Sequence, residues 1–161
     1  MKPPAPIISV VIPTWRRQRL LRHCLDSVLA QRYAAERYEV IVCDDGPDTA
    51  TRTVVETLRA IHRDGPRIHY LPVTATQGPA AARNAGWRAA RGTIIAFTDD
   101  DTLPDTDWLA AGERALRGGA DAAAGRVVVP LRAAPTDYER DAAGLARSEF
   151  VTANCFVRRR A

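Results

Sequence analysis

Residues 94–109 read IIAFTDDDTLPDTDWL, so three consecutive carboxylates, Asp99, Asp100 and Asp101, follow directly on an apolar run. Adjacent aspartates repel one another, which raises the pKa of at least one of them unless positive charge arrives. Carboxylates at the mouth of a strand are hard oxygen donors, suited to Mg2+ or Mn2+ rather than to softer metals. Two or three of them do not complete an octahedron, so water and a substrate phosphate would take the remaining positions. The plainer alternative is a solvated acidic turn in which Asp101 or Asp105 caps the next helix. A second acidic pair, Asp44-Asp45-Gly46, ends the segment YEVIVCDDG. It reads either as an Asp-Gly turn or as a carboxylate accepting a hydrogen bond from a base or ribose. Arg83, in GPAAARNAG, is either a surface helix arginine or a guanidinium bracing a diphosphate.

These groups share a site only if the chain brings them to one edge. IISVVI (residues 7–12) is a continuous apolar, β-branched run, as in a buried strand. Leu20, Leu21, Cys24, Leu25, Val28 and Leu29 then recur at helical spacing over residues 17–31. YEVIVCDDG is a second strand, Val54, Val55, Leu58 and Ile61 mark a second helix capped by Asp48 or Thr49, and RIHYLPV is a third strand. Gly78-Pro79 opens a third helix that Ala80 to Ala90 continue. Thr93 to Phe97 form the fourth strand, and Trp108, Leu109, Ala115 and Leu116 a short fourth helix stopped by Gly118-Gly119. Beyond residue 120, ADAAAGRVVVP and FVTANCFVRR read as further strands, with residues 135–147 helical or loop. Alternating strands and helices imply a mostly parallel, doubly wound sheet, on which ligands sit at the carboxyl ends of the strands. Pro13-Thr14, Asp44-Asp45 and the aspartate triplet all fall there. Trp15, Trp87 and Trp108 read as packing residues, and the run Arg158-Arg159-Arg160 as solvated.

Composition narrows the chemistry. The chain has 161 residues and a formal charge of +4, with arginines scattered rather than striped. That makes a weak case for nucleic acid but suits an anionic substrate. Its three cysteines are far apart and only three histidines are present, so neither a disulfide framework nor a zinc site is expected. No apolar run approaches the ~18 residues of a membrane span, and Pro3, Pro4, Pro6 and Pro13 break any signal-peptide core. A reducing, cytoplasmic setting is the expectation. The segment after the first strand, PTWRRQ, is no dinucleotide fingerprint, and P-loop, GxSxG and Cys-His signatures are absent.

Taken together, ISVVIPTWRR, YEVIVCDDGPDT, TQGPAAARNAGWRAARGTIIAFTDDD and DDDTLPDTDWL resemble the family 2 glycosyltransferases, in that family's order and over about residues 7–131. The resemblance implies the GT-A fold: an α/β, Rossmann-like, doubly wound and mostly parallel sheet with helices on both faces. It implies one domain over residues 1–161 carrying the donor half, with the acceptor half incomplete. The implied reaction moves a sugar from a nucleoside diphosphate sugar, UDP-linked by expectation, to an acceptor hydroxyl with inversion, assisted by Mg2+ or Mn2+. By position, Pro13 and Thr14 line the nucleotide pocket, Asp45 or Asp44 accepts the N–H of the base, and Arg83 lies near the nucleotide. Asp99 holds ribose or a metal-bound water, Asp100 belongs with the nucleotide-sugar contacts, and Asp101, with Asp99, supplies the metal site. The acceptor would be a saccharide, a lipid or another hydroxyl compound; peripheral membrane association and self-association fit, and nucleic acid does not. The family's general base lies beyond the strand resembled by TANCFVRRR, hence beyond Ala161, which leaves Asp137, Glu139, Asp141 and Glu149 as substitutes. Donor binding without efficient transfer is therefore expected, with an apolar sheet face or edge uncovered near Val127 to Leu131 and Phe150 to Val157. The alternatives are a nucleotide-sugar binding module without turnover and a haloacid-dehalogenase-like phosphatase. Asp99, Asp101 and Thr102 approach the phosphatase motif, but Leu103 stands at its final position and the strand is not the first.

Overall fold

β1 (Ile8–Thr14) is buried along its whole length, as a β-branched run without polar alternation requires. The computed structural model describes residues 5–130, 136, 144, 148 and 151–159. Parallel neighbours flank β1: β2 (Tyr38–Asp45) on one side and β4 (Ile94–Phe97) on the other, with β3 (Arg67–Val73) pairing parallel to β2. Two short antiparallel strands, β5 (Ala122–Ala124) and β6 (Cys155–Arg158), complete the order β3-β2-β1-β4-β6-β5. The four predicted parallel strands are thus adjacent. β5 is shorter than the predicted segment: residues 125–130 are not in a strand, and Gly125 N–H instead donates to the Asn154 carbonyl.

Alternation along β1 assigns its two faces. Ile8, Val10 and Ile12 pack with Leu21, Cys24, Leu25 and Val28 of α1 (Gln18–Leu29), with Val55 and Leu58 of α2 (Thr49–Ile61), and with Trp108, Leu109 and Leu116 of α4 (Trp108–Leu116). Val11 faces the other way, with Ile41, Cys43, Ile95 and Ala82 of α3 (Pro79–Ala89). Each fully buried Val, Ile or Leu contributes about 1.5–3 kcal/mol. The buried residues of α3 are both small, Ala82 and Gly86. A Cβ on Gly86 would stand 2.4 Å from Val11 Cγ1 and 2.7 Å from Cys43 Sγ. The helix therefore rides on β1 and β2 at a separation that no larger residue permits.

Asp48 caps α2, its carboxylate accepting from Thr51 N–H at 2.7 Å. Neither Asp101 nor Asp105 caps α4; the buried Gln31 does so from the end of α1, accepting from Leu109 N–H at 3.0 Å and donating to the Asp105 carbonyl at 2.6 Å. The arginines near the end of β6 are not simply solvated. The Arg158 guanidinium donates to the Leu116 carbonyl at the end of α4, and that of Arg159 to the Ala90 carbonyl at the end of α3, where helix dipoles favour cations. The expectation of an uncovered apolar face is corrected at two residues: Cys155 and Phe156 are buried, with Phe156 against Trp108 and under Gly112. Val128 is exposed, while Leu131 and Phe150 lie outside the described residues, as do most of residues 135–147.

At the amino-terminal edge, Glu39 is buried inside the fold. Its Oε1 accepts from Ser9 Oγ at 2.7 Å and Arg91 N–H at 2.8 Å, and its Oε2 lies 3.3 Å from His69 Nε2. Burial alone would raise its pKa; the neighbouring His69 imidazole and the hydrogen bonds from Ser9 and Arg91 outweigh it and hold the carboxyl below its ordinary 4.5. A lowered folded pKa contributes stability above the unfolded value and loses it as pH falls through the folded one. Glu39→Gln is therefore expected to lose stability mainly above pH 4.5. In urea titrations, the gap to the unsubstituted protein should shrink as pH falls below that value; a gap independent of pH would show that the charge contributes nothing.

Candidate functional site at the carboxyl edge

The carboxyl ends of β1, β2 and β4 open into one cleft of about 290 Å³. It gathers Pro13, Thr14, Asp45, Arg83, Asp99, Asp100 and Asp101, all named above from sequence. Asp44 stands behind this lining. It is fully buried, and its Oδ2 accepts from Tyr70 Oη at 2.7 Å and Asp48 N–H at 3.2 Å. Burial pushes the Asp44 carboxyl above its ordinary value, against those two donors, and Tyr70 is pushed up to about 12 by burial and by Asp44. Asp45 points to the cleft with one oxygen committed, since Oδ2 accepts from Gly78 N–H at 2.8 Å. Its Oδ1 is buried with no hydrogen-bond partner, as are Asp44 Oδ1 and Arg83 Nε. Buried polar atoms are rarely left unpaired in a folded protein. Two of them belong to residues that line the cleft, Asp45 and Arg83.

The triplet is held as a tight turn. The Asp99 carbonyl accepts from Thr102 N–H at 3.2 Å, from Thr102 Oγ1 at 2.8 Å and from Cys24 Sγ at 3.3 Å. This turn sends the three side chains to different partners. Asp99 pairs with Arg83 Nη2 at 2.5 Å. Asp100, buried, accepts from Thr14 Oγ1 at 2.7 Å and lies 3.3 Å from Arg17 Nη1. Asp101 reaches the same Arg17 Nη1 at 3.2 Å, with its side chain 50% exposed. The positive charge demanded by three adjacent aspartates is thus supplied within the protein by two arginines. Asp100 nonetheless sits above its ordinary carboxylate value, because burial outweighs the Thr14 hydrogen bond and the Arg17 charge.

Two lining residues escaped the sequence reading. Arg17 lies three residues past Thr14, at the N-cap of α1, and its distance from that strand end was the signal available. Trp15 is not a packing residue: it is 59% exposed and lines the cleft. Arg16 takes a left-handed φ of 52° beside it, and Gly46, at φ 98°, leaves only 3.2 Å between a would-be Cβ and Trp15 Nε1. Trp87 and Trp108 do pack, against Phe97 and Phe156 respectively. The four candidate bases, Asp137, Glu139, Asp141 and Glu149, lie outside the described residues.

A divalent cation fits this edge in a restricted sense. Among the described residues no group of three or more His, Cys, Asp and Glu is gathered for a metal. Asp99 and Asp101 present hard oxygens to an open cleft, which suits an ion whose remaining positions go to water and a phosphate. A second cleft, of about 230 Å³, lies at the opposite edge beside Glu39, whose oxygens already have the partners described above.

The sequence profile described as "Glycosyl transferase family 2" matches residues 9–154. Among curated proteins, the chain is 32% identical over 123 residues to the glycosyltransferase AglE of Haloferax volcanii, covering 76% of this chain and 40% of that one. It is 36% identical over 118 residues to validoxylamine A glucosyltransferase of Streptomyces hygroscopicus subsp. limoneus, covering 73% and 25%. The chain thus spans between 25% and 40% of the length of these relatives. Among solved structures, the mannosyltransferase PcManGT of Pyrobaculum calidifontis, in complex with GDP-Man and Mn2+, superposes with a TM-score of 0.68 at 28% identity, over 77% of this chain and 36% of that one. S. aureus TarS 1-349 in complex with UDP gives a TM-score of 0.68 at 23% identity, over 80% and 38%, a likeness of fold.

Proposed function

The chain belongs to glycosyl transferase family 2 and has the GT-A fold, and from that premise we propose that its carboxyl-edge cleft binds a nucleoside diphosphate sugar for transfer to an acceptor hydroxyl. The observation that carries this reading is the gathering of Asp45, Arg83, Asp99 and Asp101 around one cleft, with Asp45 Oδ1 and Arg83 Nε left without a hydrogen-bond partner in the protein. Asp45 Oδ1 accepts the N–H of the base, uracil being the expected one, while Gly78 N–H keeps the carboxylate in place. Asp44 is the weaker choice because it is buried behind the lining and bound to Tyr70. The exposed face of Trp15, at the same end of the cleft, suits a stacked base. Pro13 and Thr14 form the floor, and Thr14 Oγ1 fixes Asp100 by a buried hydrogen bond. Arg83 braces the diphosphate from the cleft wall while its Nη2 holds Asp99.

Asp99 and Asp101 would hold Mg2+ or Mn2+, which when bound supplies charge stabilisation to the departing diphosphate. Inversion at the sugar is the expected outcome for a family member of this kind, with the proton of the acceptor hydroxyl taken by a base not found among the described residues. A base of that kind is worth about 10²–10⁴-fold. A dehalogenase-like phosphatase is disfavoured by the family match and by the position of the triplet on the fourth strand. Among the described residues no helix is long and apolar enough to cross a membrane. The acceptor, a saccharide, a lipid or another hydroxyl compound, would be met at the open side of the cleft.

The test is thermal stabilisation by nucleotides. UDP with Mn2+ is expected to raise Tm by about 5–10 °C at a hundredfold excess over Kd, and to do so less in EDTA. Incubation with UDP-sugar and acceptor then separates transfer from binding without turnover. No shift with any nucleoside diphosphate, with or without Mn2+, would end the proposal.

A further inference from the structure

We propose that Arg17 is the resident counter-cation of the cleft: it occupies Asp101 in the free protein, gives it up when a divalent cation binds, and passes to the donor's diphosphate. This deepens, and rests on, the reading of the cleft as a nucleoside diphosphate sugar site. One atom, Nη1, makes both contacts of Arg17, at 3.3 Å to Asp100 and 3.2 Å to Asp101. That is looser than the two-pronged pairing a guanidinium makes with a carboxylate it is built to keep. The two ends are unequal. Asp100 is only 6% exposed and has Thr14 as a second donor, whereas the half-exposed Asp101 has Arg17 as its ion-pair partner. Asp101 is thus the end that can be relinquished without leaving a buried charge unpaired.

Arg17 itself is built for movement of the side chain alone. Its backbone carbonyl accepts from Leu21 N–H at 2.9 Å in the first turn of α1, while its side chain is 53% exposed. Arg83 contrasts with it, 20% exposed and 2.5 Å from Asp99. Formal charge gives the direction: three aspartates carry −3 and the two arginines +2, leaving −1 at the triplet. A divalent cation added to that set would leave +1, which favours expulsion of one guanidinium toward an incoming diphosphate. The metal and the nucleotide are then coupled through Arg17, each making room for the other.

The experiment is a Mn2+ titration followed by electron paramagnetic resonance, without nucleotide, on the unsubstituted protein, Arg17→Gln and Arg17→Lys, with UDP titrations in Mn2+ alongside. Arg17→Gln is expected to bind Mn2+ alone about 5-fold more tightly, the scale of an exposed ion pair. It should bind UDP in Mn2+ about 10-fold more weakly, the scale of one charge-assisted hydrogen bond. Arg17→Lys keeps the point charge without the fork, so it should bind Mn2+ as the unsubstituted protein does and still lose UDP affinity. It also tests the proposal should the Gln variant fail to fold. Mn2+ affinity unchanged or weakened in Arg17→Gln, or UDP affinity unchanged in Arg17→Lys, overturns the proposal while Mn2+-enhanced UDP binding by the unsubstituted protein leaves the site reading standing. Absence of that enhancement in the unsubstituted protein overturns both.

Discussion

Asp101→Asn is expected to abolish most of the UDP affinity that Mn2+ confers and to lower sugar transfer by about 10²–10³-fold. The substitution keeps the shape of the side chain and removes one anionic oxygen donor. Asp101 is half-exposed and its recorded contact is the loose one to Arg17, so loss of the charge should change stability by no more than about 0.5 kcal/mol. Fold and function are therefore separable in one variant. The decisive comparison is the ratio of UDP Kd in EDTA to that in Mn2+: well above one before substitution, near one after it. An unaltered ratio in a folded Asp101→Asn protein would remove Asp101 from the metal site and return the triplet to an acidic turn.

Gly86→Val is expected to be the most damaging change away from the cleft, at about 3 kcal/mol or more. Alanine at a helix interior usually gains about 1 kcal/mol over glycine. Here its Cβ alone would meet Val11 Cγ1 at 2.4 Å and Cys43 Sγ at 2.7 Å. Val11 is β-branched and fixed in the core strand, so it has little freedom to withdraw, and overpacking costs about 1–3 kcal/mol before valine adds its own branches. Because α3 carries Arg83 one turn upstream, lifting the helix also detaches that guanidinium from Asp99. Tm should fall by about 6–12 °C, with UDP affinity weakened in the same protein below its new Tm. A Gly86→Val protein melting with the unsubstituted one would contradict the close seating of α3.

What sequence made legible was the part of the architecture that local chemistry decides. The apolar runs of β1, β2 and β4 have one reasonable fate, burial in a parallel sheet, and the right-handed crossover rule then sets their carboxyl ends side by side. That is why Thr14, Asp45, Arg83 and the triplet are legible in the sequence as neighbours at one sheet edge. The misses share a cause. Trp15 looked like a core residue by type, but its exposure follows from the turn that Arg16 and Gly46 force around it. Asp44 and Asp45 are indistinguishable as neighbours in the chain, and only pleat alternation, with Tyr70 on one side and Gly78 N–H on the other, separates them. Arg158 and Arg159 find their acceptors at helix ends that are distant in sequence. None of these partners lies within a local window.

The buried bond between Thr14 Oγ1 and Asp100 joins residues 86 positions apart, and this gives the cleft a schedule. During synthesis, β1 and the first helix emerge well before the acidic turn that completes the pocket. At ~5–20 residues per second the interval is on the order of ten seconds. Throughout it Thr14 lacks its Asp100 partner, and only one wall of the cleft exists. On the proposed reading, the capacity to capture donor would be switched on only when β4 pairs with β1, late in translation.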